Sequence, residues 1–204
     1  MTAPLRTLPN AALAAAALAL GAAAGVHADA TLDAAGSSVT LLSTKVLADG
    51  ATSVTERHAF TALEGRVDDA GAASVEIGLD SIATGIDIRD ERMREFLFET
   101  ASHPTATITA EVPPGALEPG THAVPLEFEL ELHGATQRLS VPVVVDATED
   151  ALVVTAVEPV LLDAAAFDLV GGIARLAELA KLLHIPTTVP VSFSLEFDRE
   201  NAGA

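Results

Sequence analysis

Apolar and polar residues alternate with a period of two along most of the chain beyond residue 30. The clearest case runs from Val124 to Leu132, where Val124, Leu126, Phe128, Leu130 and Leu132 alternate with Pro125, Glu127, Glu129 and Glu131. That period puts one set on a buried face and the acids in water. The same alternation recurs over residues 39–44, from Phe60 to Val67, and from Ala73 to Leu79. It returns from Thr105 to Ala110, Leu139 to Val145, Leu152 to Leu162 and Val189 to Phe197. Turn residues separate the runs: Asp49-Gly50, Asp68-Asp69-Ala70-Gly71, Pro113-Pro114-Gly115 and His133-Gly134. These runs amount to about eight strands joined by short turns, an antiparallel sheet. Pro142 predicts an edge, a bulge or an outward kink in its strand. One buried face per strand favours a sheet that curls on itself, since closure removes exposed edges.

Two stretches break the period. Asp87 to Phe98 reads as a short helix with Asp87 as its cap and Asp90 and Glu91 in its first turn. Ile88, Met93, Phe96 and Leu97 share an apolar side, and Arg89, Glu91, Arg92 and Glu95 face water. Asp163 to Leu183 repeats Phe167, Val170, Ile173, Leu176, Ala177, Ala180 and Leu183 at helical spacing. It predicts a second amphipathic helix, weakened early by Gly171-Gly172 and stopped by Pro186.

Residues 1–28 read as a secretory signal: a single early charge at Arg6, an Ala/Leu/Gly run from Ala11 to Ala24, then the small-x-small sites Val26-His27-Ala28 and Ala28-Asp29-Ala30. The run is short for a membrane span and has no basic flank after it, so the expectation is export with cleavage, to the periplasm or the medium, and no stable span afterwards. The mature barrel is expected over residues 31–199, with a loose tail after Arg199.

The formal net charge of −18 argues against nucleic acid and against charge-driven docking on anionic lipid. The absence of Cys removes disulfides, thiolate metal sites and thiol nucleophiles. With no Trp, no Tyr and seven Phe, any cavity wall must be aliphatic with a few Phe. Nothing forms a catalytic constellation: there is no H-x-H, H-E-x-x-H, G-x-S-x-G or Ser-x-x-Lys, and the Glu127, Glu129 and Glu131 row points outward. His133 sits at a hairpin where a turn role suffices, and His58 has no evident partner. No enzyme activity, metal or cofactor is therefore expected.

Three stretches carry a family resemblance. Thr84, Arg89, Asp90, Arg94, Phe96, Phe98 and Pro104 form the first. The strand Phe128-Glu-Leu-Glu-Leu-His-Gly-Ala-Thr136 forms the second, and Phe60 with Gly65 the third. Together they resemble the YceI-like family of polyisoprenoid-binding proteins across roughly Leu32 to Phe197. The resemblance implies a lipocalin-like, eight-stranded antiparallel barrel enclosing a long apolar cavity. It implies binding of an isoprenoid lipid, such as a quinone or polyprenyl chain, without chemistry. Family members often carry Trp or Tyr near the first strand and the cavity, and this chain does not. The inward positions Phe60, Ile77, Ile108, Phe128, Leu130, Phe193 and Leu195 would line such a cavity, with Met93, Phe96 and Phe98 as a lid. On the residues alone the same positions fill a solid core, which is the usual state of an interior; the resemblance turns the reading to a cavity. Arg89 and Asp90 are the sharpest polar pair. They can meet a ligand head group, anchor the helix to the barrel rim, or form a surface pairing of Asp90 with Arg94. A secreted barrel acting through its outer surface is the alternative function, and monomer and homodimer both stay open.

Overall fold

The computed structural model describes residues 30–199; the leader and the tail after Arg199 lie outside the described residues. Eight strands close an antiparallel barrel. They are β1 (Ala30–Leu47), β3 (Leu63–Val67), β4 (Ala72–Gly78), β6 (Thr105–Glu111), β7 (Gly120–Leu132), β8 (Ala135–Ala147), β9 (Ala151–Ala156) and β12 (Thr188–Arg199). Each pairs with the next, and β12 returns to β1 through Ala30↔Arg199 and Leu41↔Val191, so the barrel itself has no free edge. Four further strands extend one end: β2 (Ser53–Phe60), β5 (Ile82–Ala83), β10 (Val160–Asp163) and β11 (Leu182–His184).

These additions arise because long strands bend where the sequence reads as continuous. The Phe60-to-Val67 run is two strands, β2 and β3, both paired with β1 and separated by a kink at Thr61-Ala62. Ser81 holds that kink. Its Oγ accepts from the Thr61 and Ala62 N–H groups, 3.0 Å each, and its hydroxyl donates to the Gly78 carbonyl at 2.6 Å. The Leu152-to-Leu162 run is likewise broken between β9 and β10, where the Val157 N–H donates to the Pro142 carbonyl. Strand β1 bulges between Asp33 and Ser38, and Ser37 fills the gap by accepting from the Glu196 N–H at 2.9 Å. Pro142 faces Pro125 across the β7–β8 ladder, one residue before β9 begins to pair with β8 at Val143. Neither proline can donate, so their facing positions avoid a lost ladder bond.

Alternation then decides the core. Leu126, Phe128, Leu130 and Leu132 of β7 and Val141, Val143 and Val145 of β8 are all buried, while Glu127, Glu129 and Glu131 are exposed.

The first helical stretch spans nearly its expected length, whereas the second is shorter and broken. The first is α1 (Asp87–Arg92) followed by a π-helical turn (Met93–Leu97). Asp87 is the first helical residue rather than the cap; Ile86 is the cap, and no side chain caps it. Met93 and Leu97 are buried, but Ile88 is half exposed. Arg89, expected in water, is instead largely covered and turned to the barrel. The expected helix over Asp163 to Leu183 is a short 3-10 turn (Ala164–Phe167), a left-handed Asp168 (φ 56°), α2 (Val170–Leu179) and β11. Phe167 is fully buried, which fixes the break, and Leu183, expected on the apolar stripe, is mostly exposed.

Helix α2 lies directly on the π-helical turn. A Cβ at Gly172 would sit 2.3 Å from the Phe96 carbonyl oxygen and 2.8 Å from Leu97 Cα, so only glycine permits this approach. A Cβ at the adjacent Gly171 would meet nothing. Gly172→Ala is therefore expected to destabilise the fold by roughly 1–3 kcal/mol and lower the melting temperature by several degrees. Gly171→Ala should be neutral or slightly stabilising, since alanine is the better helix former. Thermal melts followed by circular dichroism distinguish the two, and equal effects would contradict this packing.

Candidate functional site

The barrel interior is hollow. A cavity of about 570 Å³ runs under the helices, within the roughly 300–1,000 Å³ usual for small-molecule sites. Packed interiors hold few voids larger than a water molecule, so a space of this size is not a solid core.

Phe60, Ile77, Met93, Phe98, Ile108, Phe128, Leu130, Phe193 and Leu195 all stand in the wall. Phe98 of the lid meets Phe60 of the wall with ring centroids 5.8 Å apart and a tilt of 59°, a favourable edge-on contact. Phe96 departs from expectation. It is absent from the wall, its carbonyl abuts Gly172, and the Arg175 guanidinium lies 5.6 Å from its ring centre. Leu97, the next residue of the π-helical turn, takes the inward place instead. Helix α2 adds Ile173 and Leu176, and the segment before it adds Phe167 and Leu169.

One end of the cavity is polar. Its wall includes Ser43 and Lys45 of β1, Glu56 and His58 of β2, and Arg89 and Arg92 of α1. Glu56 lies between two cations: Lys45 Nζ at 2.7 Å and Arg89 Nη1 at 2.8 Å. Lys45, and after it Arg89, holds the Glu56 carboxyl below its ordinary range. Arg89 Nη2 also donates to the Thr84 carbonyl at 2.9 Å. Asp90 is buried and turns the other way, accepting from the Thr84 backbone N–H at 3.0 Å and from its hydroxyl at 2.5 Å. Arg89 and Asp90 thus both fasten α1 to the barrel end, through β2 and through the turn before the helix. Asp90 does not line the cavity, and its hydrogen bonds go to Thr84 rather than to Arg94. Ile86 and Ile88 flank this end, both about half exposed.

His58 is only 3% exposed, and its Nδ1 has no hydrogen-bond partner among the described residues. The sequence already held a signal for these residues. Strand parity sets Lys45 on the same face as Val39 and Leu41, and Glu56 and His58 on the same face as Phe60. Reading only apolar positions as inward hid them.

Burial, and after it the Arg89 charge, lowers the His58 pKa; Glu56, the neighbouring Arg57 backbone and Asp90 oppose this. The folded chain therefore takes up the ring's proton at lower pH than the unfolded chain, whose value is the ordinary one near 6.5. The stability linked to His58 is complete above that value and is lost as pH falls below it. Urea midpoints measured from about pH 7.5 down to about pH 5 should fall more steeply for the natural chain than for His58→Gln. Parallel slopes would show that the buried ring contributes nothing.

Comparison with known proteins places this geometry. A solved polyisoprenoid binding domain from Saccharophagus degradans, implicated in plant cell wall breakdown, is 35% identical with a TM-score of 0.78. The alignment covers 84% of this chain and 98% of that one. BcnA of Burkholderia cenocepacia (18% identity, TM-score 0.59, 81% and 98% covered) and a Campylobacter jejuni YceI protein (10%, 0.52, 71% and 85%) share the fold. Comparison with curated proteins gives no match. The YceI-like domain matches residues 31–197. The closed barrel, its helical cover and that match together make this chain a member of the YceI-like family.

Proposed function

We propose that the protein is an exported, non-catalytic carrier that holds one isoprenoid lipid of the quinone or polyprenyl type, chain inside the barrel and head group at the polar end. The observation that carries this reading is the 570 Å³ cavity whose wall, away from its one polar end, is aliphatic and phenylalanine. A slender hydrocarbon needs no polar partner there. Each buried CH₂ contributes roughly 0.8 kcal/mol, so a chain of about twenty carbons gains on the order of 10–15 kcal/mol before the entropy of immobilisation is subtracted. The lining residues predicted from the sequence, Phe96 excepted, would form the chain's surroundings.

The polar end suits an oxygen-bearing head group. Lys45, Arg89 and Arg92 stand in the wall with a single carboxylate, Glu56, which pairs with the first two, so the wall at this end carries more positive than negative charge in an otherwise acidic protein. The neutral His58 ring offers one donor and one acceptor nitrogen in a dry site, and a carbonyl or hydroxyl on the ligand would satisfy the nitrogen that lacks a partner. The solved relative from Saccharophagus degradans, a polyisoprenoid binding domain, lends the ligand class further weight.

The test is mass spectrometry of an organic extract of the mature protein purified without detergent. One isoprenoid species near equal molar amount is expected. Ala73 and Ala110 face each other across the β4–β6 ladder and both line the cavity. The double substitution Ala73→Phe/Ala110→Phe would fill the space, and it should cut bound lipid at least tenfold while the melting temperature stays within a few degrees, because a void accepts the added volume. If no lipid is extracted and added quinone or polyprenol is not taken up, the carrier reading fails and an outer-surface role takes its place.

A further inference from the structure

On the outside of the covered end, three side chains converge that the sequence keeps far apart. Glu99 and His103 lie in the turn that follows the π-helical segment, and His133 opens the two-residue turn between β7 and β8. One ligand atom from each lies within 4.8 Å of the other two. We infer that Glu99, His103 and His133 form a site for a divalent transition metal of zinc type, which ties the segment behind the lid to the β7–β8 hairpin.

His133 is the strongest sign. Its side chain is 11% exposed, yet neither ring nitrogen has a hydrogen-bond partner among the described residues. Buried imidazole nitrogens left unpaired are costly and call for an explanation. Its Nε2 stands 3.7 Å from Glu99 Oε2, too far for a hydrogen bond but close for two ligands of one ion. The His103 ring lies over it at 4.3 Å between centroids, tilted by 48°. The turn places these rings: His133 and Gly134 both have positive φ, 53° and 78°, as a tight hairpin turn demands. A Cβ on Gly134 would come within 3.4 Å of His103 Cε1, so glycine also leaves room for the second ring. Glu99 itself is held at φ 48°, with its carbonyl accepting from Ser102 and His103.

The donor set selects the ion. Two imidazole nitrogens and one carboxylate suit zinc and its transition-metal neighbours, whereas magnesium and calcium prefer all-oxygen shells. Ligand atoms around a tetrahedral zinc, bound at about 2.0–2.2 Å, lie roughly 3.4 Å apart, so the cluster, now within 4.8 Å, must contract through rotation of the exposed Glu99 side chain and of the half-buried His103 ring. Three protein ligands leave a fourth position for water. The neutral imidazoles and single carboxylate leave the loaded site with one net positive charge.

The test uses tag-free mature protein stripped with chelator. Calorimetric titration with Zn²⁺ should give one site per chain, and Co²⁺ should give visible absorption bands of a tetrahedral nitrogen/oxygen set. Zn²⁺ should raise the melting temperature, and Mg²⁺ at the same concentration should not. His133→Asn keeps a residue that the hairpin turn favours, so the variant folds; it and His103→Gln should each weaken Zn²⁺ binding tenfold or more and abolish the thermal shift. Absence of a one-to-one site in the natural protein, or equal binding by both variants, overturns the assignment. None of these readouts depends on lipid binding.

Discussion

The structure depends on where its strands bend. Eight strands can close a barrel just wide enough to hold a slender molecule. Here several of them change direction part-way: β1 at its bulge, β2 against β3 at Thr61-Ala62, and β9 against β10 at Val157 to Pro159. Beyond the bends the sheet no longer closes on itself by the same neighbours. The wider end must be covered by something other than strands, and α1, the π-helical turn and α2 supply the cover. The hydroxyls of Ser37 and Ser81 make the bends affordable, because each satisfies backbone groups that the ladder loses.

The cover is fastened by polar contacts at its rim and by close packing within. Arg89 reaches Glu56 on β2, Asp90 takes both Thr84 donors, and Gly172 lets α2 rest on the Phe96 carbonyl. Adjacent residues of one helix therefore serve two different attachments, which a pairing along the helix would not achieve. The same Arg89–Glu56 contact belongs to the wall of the cavity, so the fastening of the lid and the chemistry of the polar end are one structure.

Much of this was legible in the sequence. Period-two alternation in β7 and β12 marked the inward residues, since one solvated face per strand leaves a strong signal. Phe128, Leu130, Phe193 and Leu195 followed from it, and Ile108 from the same period in β6. What escaped has specific reasons. The kink at Thr61-Ala62 carries neither glycine nor proline, so a bent strand read as a straight one; at the second kink the sequence did hold a signal, Glu158-Pro159, which the apolar residues on either side obscured. The helical stripe from Phe167 to Leu183 matched a single helix because periodicity cannot register one left-handed residue, Asp168, in its midst. Lys45, Glu56 and His58 were hidden by the ordinary assumption that charge points outward. The meeting of His103 with His133 lies beyond any local pattern, because it comes from how the π-helical turn returns to the barrel beside a hairpin.

The aliphatic wall has a chemical consequence as well as a packing one. Side chains that oxidants and radicals attack most readily are Cys, Met, Trp and Tyr, and the cavity has none of these except Met93. Between its ends the wall of Leu, Val, Ile, Ala and Phe offers neither a nucleophile nor an easily oxidised group, Met93 excepted. The reactive side chains, Lys45 and His58, are gathered at the polar end, so the interior divides into a chemically quiet shaft and one reactive rim.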